Sequence, residues 1–460
     1  MQTAFRIISL SALALGIAGA LACGQADASG FQLRENSVKN LGRANAGTAV
    51  ANDDASVVVN NPAAMVNLDQ STFQVDATSI NLDADFNGGG TTVFGTPLSG
   101  GNGGDPGDPS VVPALAFVMP VADKFRLGVS VSAPFGLKTE YDGDWVGRYN
   151  AINSDVKVVD LTVSGAWAVT DRFSLGVSAI YQHADVTLSN ALDFGTALCI
   201  GASPANPLLT CANPAFPFHP QSADGRVEVT GNDSSWGWIA GAQWRPTDNF
   251  SIGYSHHSKI DHTLRGDADF TVPGSVAAVL GPAAPADGAI YAPLTTPTID
   301  TLSARWDVND AFRLYADIQR TGWDSLQQVA IFRADGSPLG HPEQFHWTNT
   351  TYYGIGAEWD LNDAFTLRAG FAHDESPTND ATRDARLPDN TRTLYSIGAT
   401  WHASAAFSVD AAFQRINIDD PTVNVTSPFP GSPSPALGSH LTGEYSGHAN
   451  LFGVAMQYRF

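Results

Sequence analysis

Charged side chains are scarce for a chain of this length: Asp, Glu, Lys and Arg make up only 15% of 460 residues. Long Glu-, Lys- and Leu-rich runs of a helical protein are also missing. After residue 28 there is no apolar run of the roughly 18 residues that a membrane-crossing helix requires. A helical membrane protein is therefore excluded. Basic residues are outnumbered, 24 Lys and Arg against 46 Asp and Glu, for a net charge of −22. Phosphate recognition needs a basic face, so no nucleic-acid partner is expected. The acidity falls mainly in loop-like stretches, which reads as solvated loops, with divalent-cation bridging to anionic surface lipid as the alternative. What is abundant is glycine, at 44 residues, proline, at 27, and aromatic side chains, at 10%. That balance suits a transmembrane barrel, in which apolar lipid-facing and polar lumen-facing residues alternate and average out.

Residues 1–28 read as a secretory signal. Arg6 supplies the positive start, 7–22 the apolar stretch, and Ala26-Asp27-Ala28 the small-x-small cleavage site. Cys23 leaves a lipoprotein site as a competing reading. Cleavage after Ala28 leaves Cys199 and Cys211, both in one Pro-rich loop of an exported chain, where a disulfide between them would stiffen the loop.

One short turn recurs along the chain: Ala122-Asp123-Lys124-Phe125, Thr170-Asp171-Arg172-Phe173, Thr247-Asp248-Asn249-Phe250, Asn309-Asp310-Ala311-Phe312, Asn362-Asp363-Ala364-Phe365 and Ser404-Ala405-Ala406-Phe407. Each offers a small polar residue for a local side-chain hydrogen bond, then Phe where a strand begins. Strict alternation flanks these turns, as in Leu175, Val177, Ala179 and Tyr181 against Ser174, Gly176, Ser178 and Gln182. Between the hairpins lie long loops near 87–110, 135–152, 191–224, 267–296, 335–342, 377–389 and 421–442. Six short turns and seven long connections predict fourteen antiparallel strands, with both barrel ends on the short-turn side. Short turns inside and long loops outside is the pattern of a bacterial outer-membrane barrel. A soluble β-sandwich would not need that asymmetry. The expected layout is a signal over 1–28, a non-strand segment over 29–69, and the barrel with its long outer loops over 70–460. A compact segment ahead of a closed wall has the lumen as its natural seat, where it would act as a plug.

Two of the outward loops are unusually greasy. The loop 191–224 carries Leu192, Phe194, Phe216 and Phe218, and 267–296 carries Val279 and Leu280. Apolar side chains gathered there suggest a capture groove for a hydrophobic ligand, with loop self-packing as the alternative. Pro62 fixes its own φ and pushes Asn61 toward extended backbone, so Asn61-Pro62-Ala63 makes a rigid knot whose Asn can hydrogen-bond exposed backbone groups. A carboxylate ligand would need a lumenal cation; Arg148, Lys157 and Arg43 are the candidates. His256 and His262 are expected on one strand face about 20 Å apart, too far for one ion, and to be solvated. No metal site, cofactor-binding motif or catalytic triad stands out.

With these residues assembled, the chain resembles the FadL family of outer-membrane transporters for hydrophobic compounds. The likeness is carried by Ser29-Gly30-Phe31-Gln32-Leu33, Leu41-Gly42-Arg43-Ala44 with Gly47, Asn61-Pro62-Ala63, the stretch 135–141, the stretch 370–377, Leu387-Pro388-Asp389 and the final strand. It covers the whole chain after the signal, with the loops poorly matched. The resemblance implies a fourteen-stranded barrel with an N-terminal hatch. It also implies passive uptake of long-chain fatty acids or hydrocarbons into an internal pocket, then lateral release where the third strand kinks. On that reading Asn61, Pro62 and Ala63 gate, Gly136 sits near the kink, and Phe31 touches ligand. A monomer surrounded by outer-membrane lipid and lipopolysaccharide is expected, with no covalent chemistry and no cofactor. The rival functions are a general aqueous porin, a lipid-acting outer-membrane enzyme, and an adhesin or phage receptor.

Overall fold

The computed structural model describes residues 30–460 apart from Asp108 and Pro204; the expected signal over 1–28 lies outside the described residues. The chain forms a closed antiparallel barrel of 14 strands. These are β1 (Thr72–Thr91), β2 (Ser110–Ala122), β3 (Phe125–Glu140), β4 (Asn153–Thr170), β5 (Phe173–Asp193), β6 (Asp224–Thr247), β7 (Phe250–His257, resumed at Ile260–Thr271), β8 (Gly288–Thr296, resumed at Ile299–Asn309), β9 (Phe312–Thr321), β10 (Thr350–Asn362), β11 (Phe365–Asp374), β12 (Arg392–His402), β13 (Phe407–Ile418, resumed at Thr422–Pro428) and β14 (Gly438–Arg459). Neighbours pair in order, and β1 pairs with β14 from Thr72↔Arg459 to Thr91↔His440, which closes the ring. No helix among the described residues is long and apolar enough to cross a membrane.

The wall is inverted relative to a water-soluble protein. Leu175, Val177 and Tyr181 of β5 are exposed on the outside, while Ser174, Ser178 and Gln182 are buried inside. Val177 at 66% exposure and Trp236 at 68% would be costly in water, and lipid removes that cost. The six short turns fall where the repeat predicts them. At four of them the side chain of the first turn residue, Thr170, Asn309, Asn362 or Ser404, accepts the local hydrogen bond: Asn309 Oδ1 accepts from the backbone N–H groups of Ala311 and Phe312, and Asn362 Oδ1 from those of Ala364 and Phe365. Phe125, Phe173 and Phe365 then start their strands exposed.

Several stretches read as loops are wall. Residues Ile260–Thr271 pair with Gly288–Thr296, so β7 and β8 rise well past their expected ends. The break in β7 between His257 and Ile260 also shifts the phase of its alternation. His256 stays outside, near Trp238 and bonded to Asp300, whereas His262 is buried inside between Asp233 and Gln182. The expectation that both share one solvated face is therefore corrected; an interrupted strand does not keep its period of two.

Two wall features position the site. The β2–β3 ladder runs from Ala122↔Phe125 to Leu115↔Val131. Just beyond it, β3 bulges against β4 between Ser132 and Phe135. The bulge ends one residue ahead of Gly136. There Leu33 N–H donates to Pro134 O at 2.7 Å and Gly136 N–H to Phe31 O at 2.8 Å, so residues 31–33 lie alongside β3 as a short extra strand.

Candidate functional site: an apolar cavity and the N-terminal segment beneath it

Residues 30–68 are almost wholly buried, and they are held from many sides of the ring. Val38 N–H donates to Asp76 of β1 at 2.8 Å, and Lys39 Nζ to Gln457 of β14 at 3.0 Å. Arg34 pairs with Asp374 of β11 at 2.8 Å. Gly47 N–H donates to Asp317 of β9 at 2.6 Å, and Ala49 N–H to Ser303 of β8 at 2.9 Å. Ser164 of β4 and Ser174 of β5 donate to Val58 O and Ala63 O, each at 2.9 Å. Glu358 of β10 is buried among Arg43, Arg313 and Arg368 and accepts from Tyr315 Oη at 2.8 Å.

Asn61 is fully buried and uses its whole amide. Nδ2 donates to Ala49 O at 2.7 Å and Ala242 O at 3.1 Å, while Oδ1 accepts from Ala63 N–H at 3.1 Å. Pro62 opens the 3-10 turn Pro62–Asn67. The knot lies against glycines of the wall, at Gly176 on β5 and Gly241 on β6, where any Cβ would collide with it. Sequence reasoning missed both glycines. The available signal was glycine on the inward register of a strand, which marks close approach of another backbone.

Above this segment lies a cavity of about 630 Å³. Its walls are mainly aliphatic, from Leu137 of β3, Val156 of β4, Val186 and Leu188 of β5, Val227 and Val229 of β6, Leu264 of β7 and Leu294 of β8. Phe31 lies at its edge, with its ring centroid 4.9 Å from Trp323 and 5.9 Å from Trp347. Polar side chains also line it: Asn150, Ser154, Asn190, Glu343, Asp384 and Arg386, with His341, Gln344, Thr382, Asn424, Thr426 and Ser427. A second, smaller and more polar cavity of about 70 Å³ touches Gln32, Leu33 and Arg34, together with Ser132, Ala133 and Pro134 of the bulge. The strand 31–33 therefore borders both.

The remaining sequence-derived residues are distributed as follows. Leu192 lines the cavity. Phe194 and Phe218 pack in a separate loop core with Val276, flanked by Leu192, Phe216 and Leu280. Val279 points outward, as do Leu208 and Leu209. Cys199 and Cys211 are disulfide-bonded, with Cα atoms 5.0 Å apart, and tie the helix Phe194–Ala202 to the helix Pro207–Cys211. Arg148 does not reach the cavity; its guanidinium binds Asp224 at 2.9 Å, Ser99 O at 2.7 Å and Tyr149 Oη at 3.1 Å. Lys157 pairs with Asp155 at 2.7 Å, and Arg43 is taken up by Glu358. Among the described residues no group of three or more His, Cys, Asp or Glu is placed to hold a metal ion.

A closed barrel with a lipid-facing apolar exterior and an apolar internal cavity defines a transport protein of the outer membrane. The comparisons give the particular family. Residues 19–460 match the model described as outer membrane protein transport protein (OMPP1/FadL/TodX), and the chain belongs to that family of outer-membrane transporters for hydrophobic compounds. It is 30% identical to outer membrane protein P1 of Haemophilus influenzae over 97% of this chain and 98% of that one. It is 28% identical to the long-chain fatty acid transport protein of Escherichia coli over 82% and 85%. The crystal structure of a Pseudomonas aeruginosa FadL homologue superposes with a TM-score of 0.84 at 27% identity, covering 94% of this chain and all of the other. The Pseudomonas putida toluene transporter TodX shares the fold, with a TM-score of 0.65 at 17% identity over 94% of this chain and 99% of that one. The protein is accordingly a transporter and not an enzyme, located in the outer membrane.

Proposed function

We propose that this protein takes up long-chain fatty acids or hydrocarbons passively. The ligand binds in the large cavity and leaves sideways into the membrane at the β3 bulge when the N-terminal hatch shifts. An apolar solute gains nothing from an aqueous pore; it needs a dry pocket and a route that keeps it out of water. The observation that carries the reading is the double position of residues 31–33. Phe31 edges the apolar cavity, while the same short strand is hydrogen-bonded to β3 where the wall is irregular. Displacing that strand joins the pocket to the bulge without dismantling the barrel ladder. The bonding of Asn61 and its contact with β5 and β6 support a gating role for the Asn61-Pro62-Ala63 knot. The outward Leu208, Leu209 and Val279 suit first contact with ligand. Closure of β1 on β14 within one chain supports a monomeric unit.

A reversible lock tests this. Gln32 and Phe135 face each other in an antiparallel bridge, so a Gln32→Cys/Phe135→Cys pair can be joined by oxidation. The oxidised protein should still bind ligand but lose uptake, and reduction should restore it. Equal uptake in both forms would refute lateral release past this strand.

A further inference from the structure

The smaller cavity beside residues 32–34 carries more negative charge than its walls balance. Asp160 of β4 and Asp317 of β9 both line it and are both buried. Arg34, the guanidinium on its lining, is taken up by Asp374 at 2.8 Å. Among the described residues neither Asp160 nor Asp317 has an ion-pair partner. Asp317 is at least fully hydrogen-bonded, by the N–H groups of Gly47 and Thr48 and by the Thr48 hydroxyl. Asp160 is not: Oδ1 accepts from Gln182 Nε2 at 2.8 Å, and Oδ2 accepts nothing. Idle oxygens line the same cavity. Asn45 is only 3% exposed, sits in left-handed backbone (φ 50°), and has no partner for Oδ1 or Nδ2. Thr162, two residues along β4 on the same inward face, is buried with its Oγ1 unbonded. Ser132, where β3 begins to bulge, lies directly across the ladder from Asp160. A buried carboxylate without a counter-charge and buried polar atoms without partners each cost free energy. One cation would remove several of those costs at once.

We propose that this small cavity binds one alkali cation, sodium or potassium, with Asp160 as its charged ligand and the side-chain oxygens of Asn45, Ser132 and Thr162 as neutral ones. An all-oxygen set is the choice of a hard cation. One free carboxylate balances one positive charge. The described residues offer no group of three or more His, Cys, Asp or Glu of the kind that holds a divalent or transition ion. A volume of about 70 Å³ admits the ion together with a few waters to complete its shell. The ligands come from β3, from β4 and from the N-terminal segment, so the ion fastens that segment to the wall beside the bulge. The site is separate from the large apolar cavity and does not depend on what that cavity carries.

Thermal unfolding of the detergent-solubilised full chain, purified throughout in choline chloride, tests this. At constant ionic strength, exchanging choline for sodium or potassium should raise the wild-type midpoint by about 2 °C or more, because an ion that binds only the folded state stabilises it. Asp160→Asn keeps the shape and an acceptor for Gln182 but removes the charge, and should lose the response. Thr162→Val removes one oxygen at nearly constant volume and should weaken sodium binding about tenfold in equilibrium dialysis with radioactive sodium. It also decides the matter should Asp160→Asn fail to assemble. A wild-type midpoint indifferent to the choice of cation would put a proton on Asp160 in the ion's place. A sodium response that survives in Asp160→Asn, or sodium binding undiminished in Thr162→Val, would assign the ion to the acidic outer loops instead. Each of these results overturns the proposal.

Discussion

Replacing Gly176 and Gly241 together by alanine tests whether residues 30–68 seal the bore. A Cβ on Gly241 would stand 2.0 Å from Asn61 Oδ1, and one on Gly176 would stand 2.3 Å from the backbone N of Ala63. Non-bonded heavy atoms rest at about 3.5 Å, so each methyl must drive the Asn61–Ala63 knot off the wall by roughly 1.2–1.5 Å. Overpacking costs ~1–3 kcal/mol per site, hence ~2–6 kcal/mol for the pair. The opposing force is the set of hydrogen bonds made by Asn61, each worth ~1 kcal/mol net. The strain is thus comparable with what holds the knot, while the ladders of β5 and β6 run through backbone that alanine does not disturb. The double variant should therefore keep the folded, heat-modifiable band of an intact barrel on a gel. In planar bilayers and in liposome swelling with a small sugar it should leak where wild type does not. A correctly folded double variant as tight as wild type would show that the knot is not the seal.

Four further outcomes are expected. Asn61→Ala strips partners from Ala49 O, Ala242 O and Ala63 N–H; labelled-ligand uptake should fall while the barrel stays folded, and unchanged uptake would remove the gating role. Glu358→Gln leaves Arg43, Arg313 and Arg368 without their shared charge, a loss of about 3–5 kcal/mol for a broken buried pair; the temperature at which the folded gel band disappears should drop, and an unchanged temperature would refute this. Cys199→Ser with Cys211→Ser should speed protease cutting within 191–224 without altering the barrel band; equal cutting rates would deny the bridge a stiffening role. Burial, and then the Glu343 carboxylate, hold Asp384 well above the ordinary carboxylate range. The native state keeps a proton there that the unfolded chain releases above about pH 4, so the loop loses stability as pH rises through that window. Cutting within 377–389, corrected for protease activity, should be faster at neutral than at mildly acid pH, and Asp384→Asn should flatten the difference.

The barrel is legible in the sequence because its rules are local. A period of two, a repeated turn ending in Phe and unequal loop lengths are all read from adjacent residues, and strand order follows chain order. The reading weakens where a strand is interrupted. Nothing local at Ser258 and Lys259 announces the break that turns His262 inward, and β7 and β8 continue into stretches whose Gly and Pro look like loop. The site is less legible because it is assembled from afar. Asp160 becomes notable only when Asn45, Ser132 and Gln182 are brought around it. Arg148 reads from the sequence as a lumenal cation for a carboxylate, yet its partner Asp224, at the start of β6, cannot be picked out by spacing. Gly176 and Gly241 did carry a signal, but one that mattered only once a second chain segment was known to lie against them.

The holds on residues 30–68 are unevenly distributed. From Lys39 to Asn67 the stretch is riveted by buried ions and side-chain amides to five or more staves of the cask. Its first residues hang on two main-chain bonds to β3, on the Asp389 carboxylate at Gly30, on the Gln32 amide against Gln319 and Thr321 of β9, on Arg34 and on the packing of Phe31. A stretch fastened this way can lift its tip like a tongue while its root stays put. On the proposed route, a cell carrying such a protein would admit greasy solutes without opening a hole through which antibiotics, ions or water could follow.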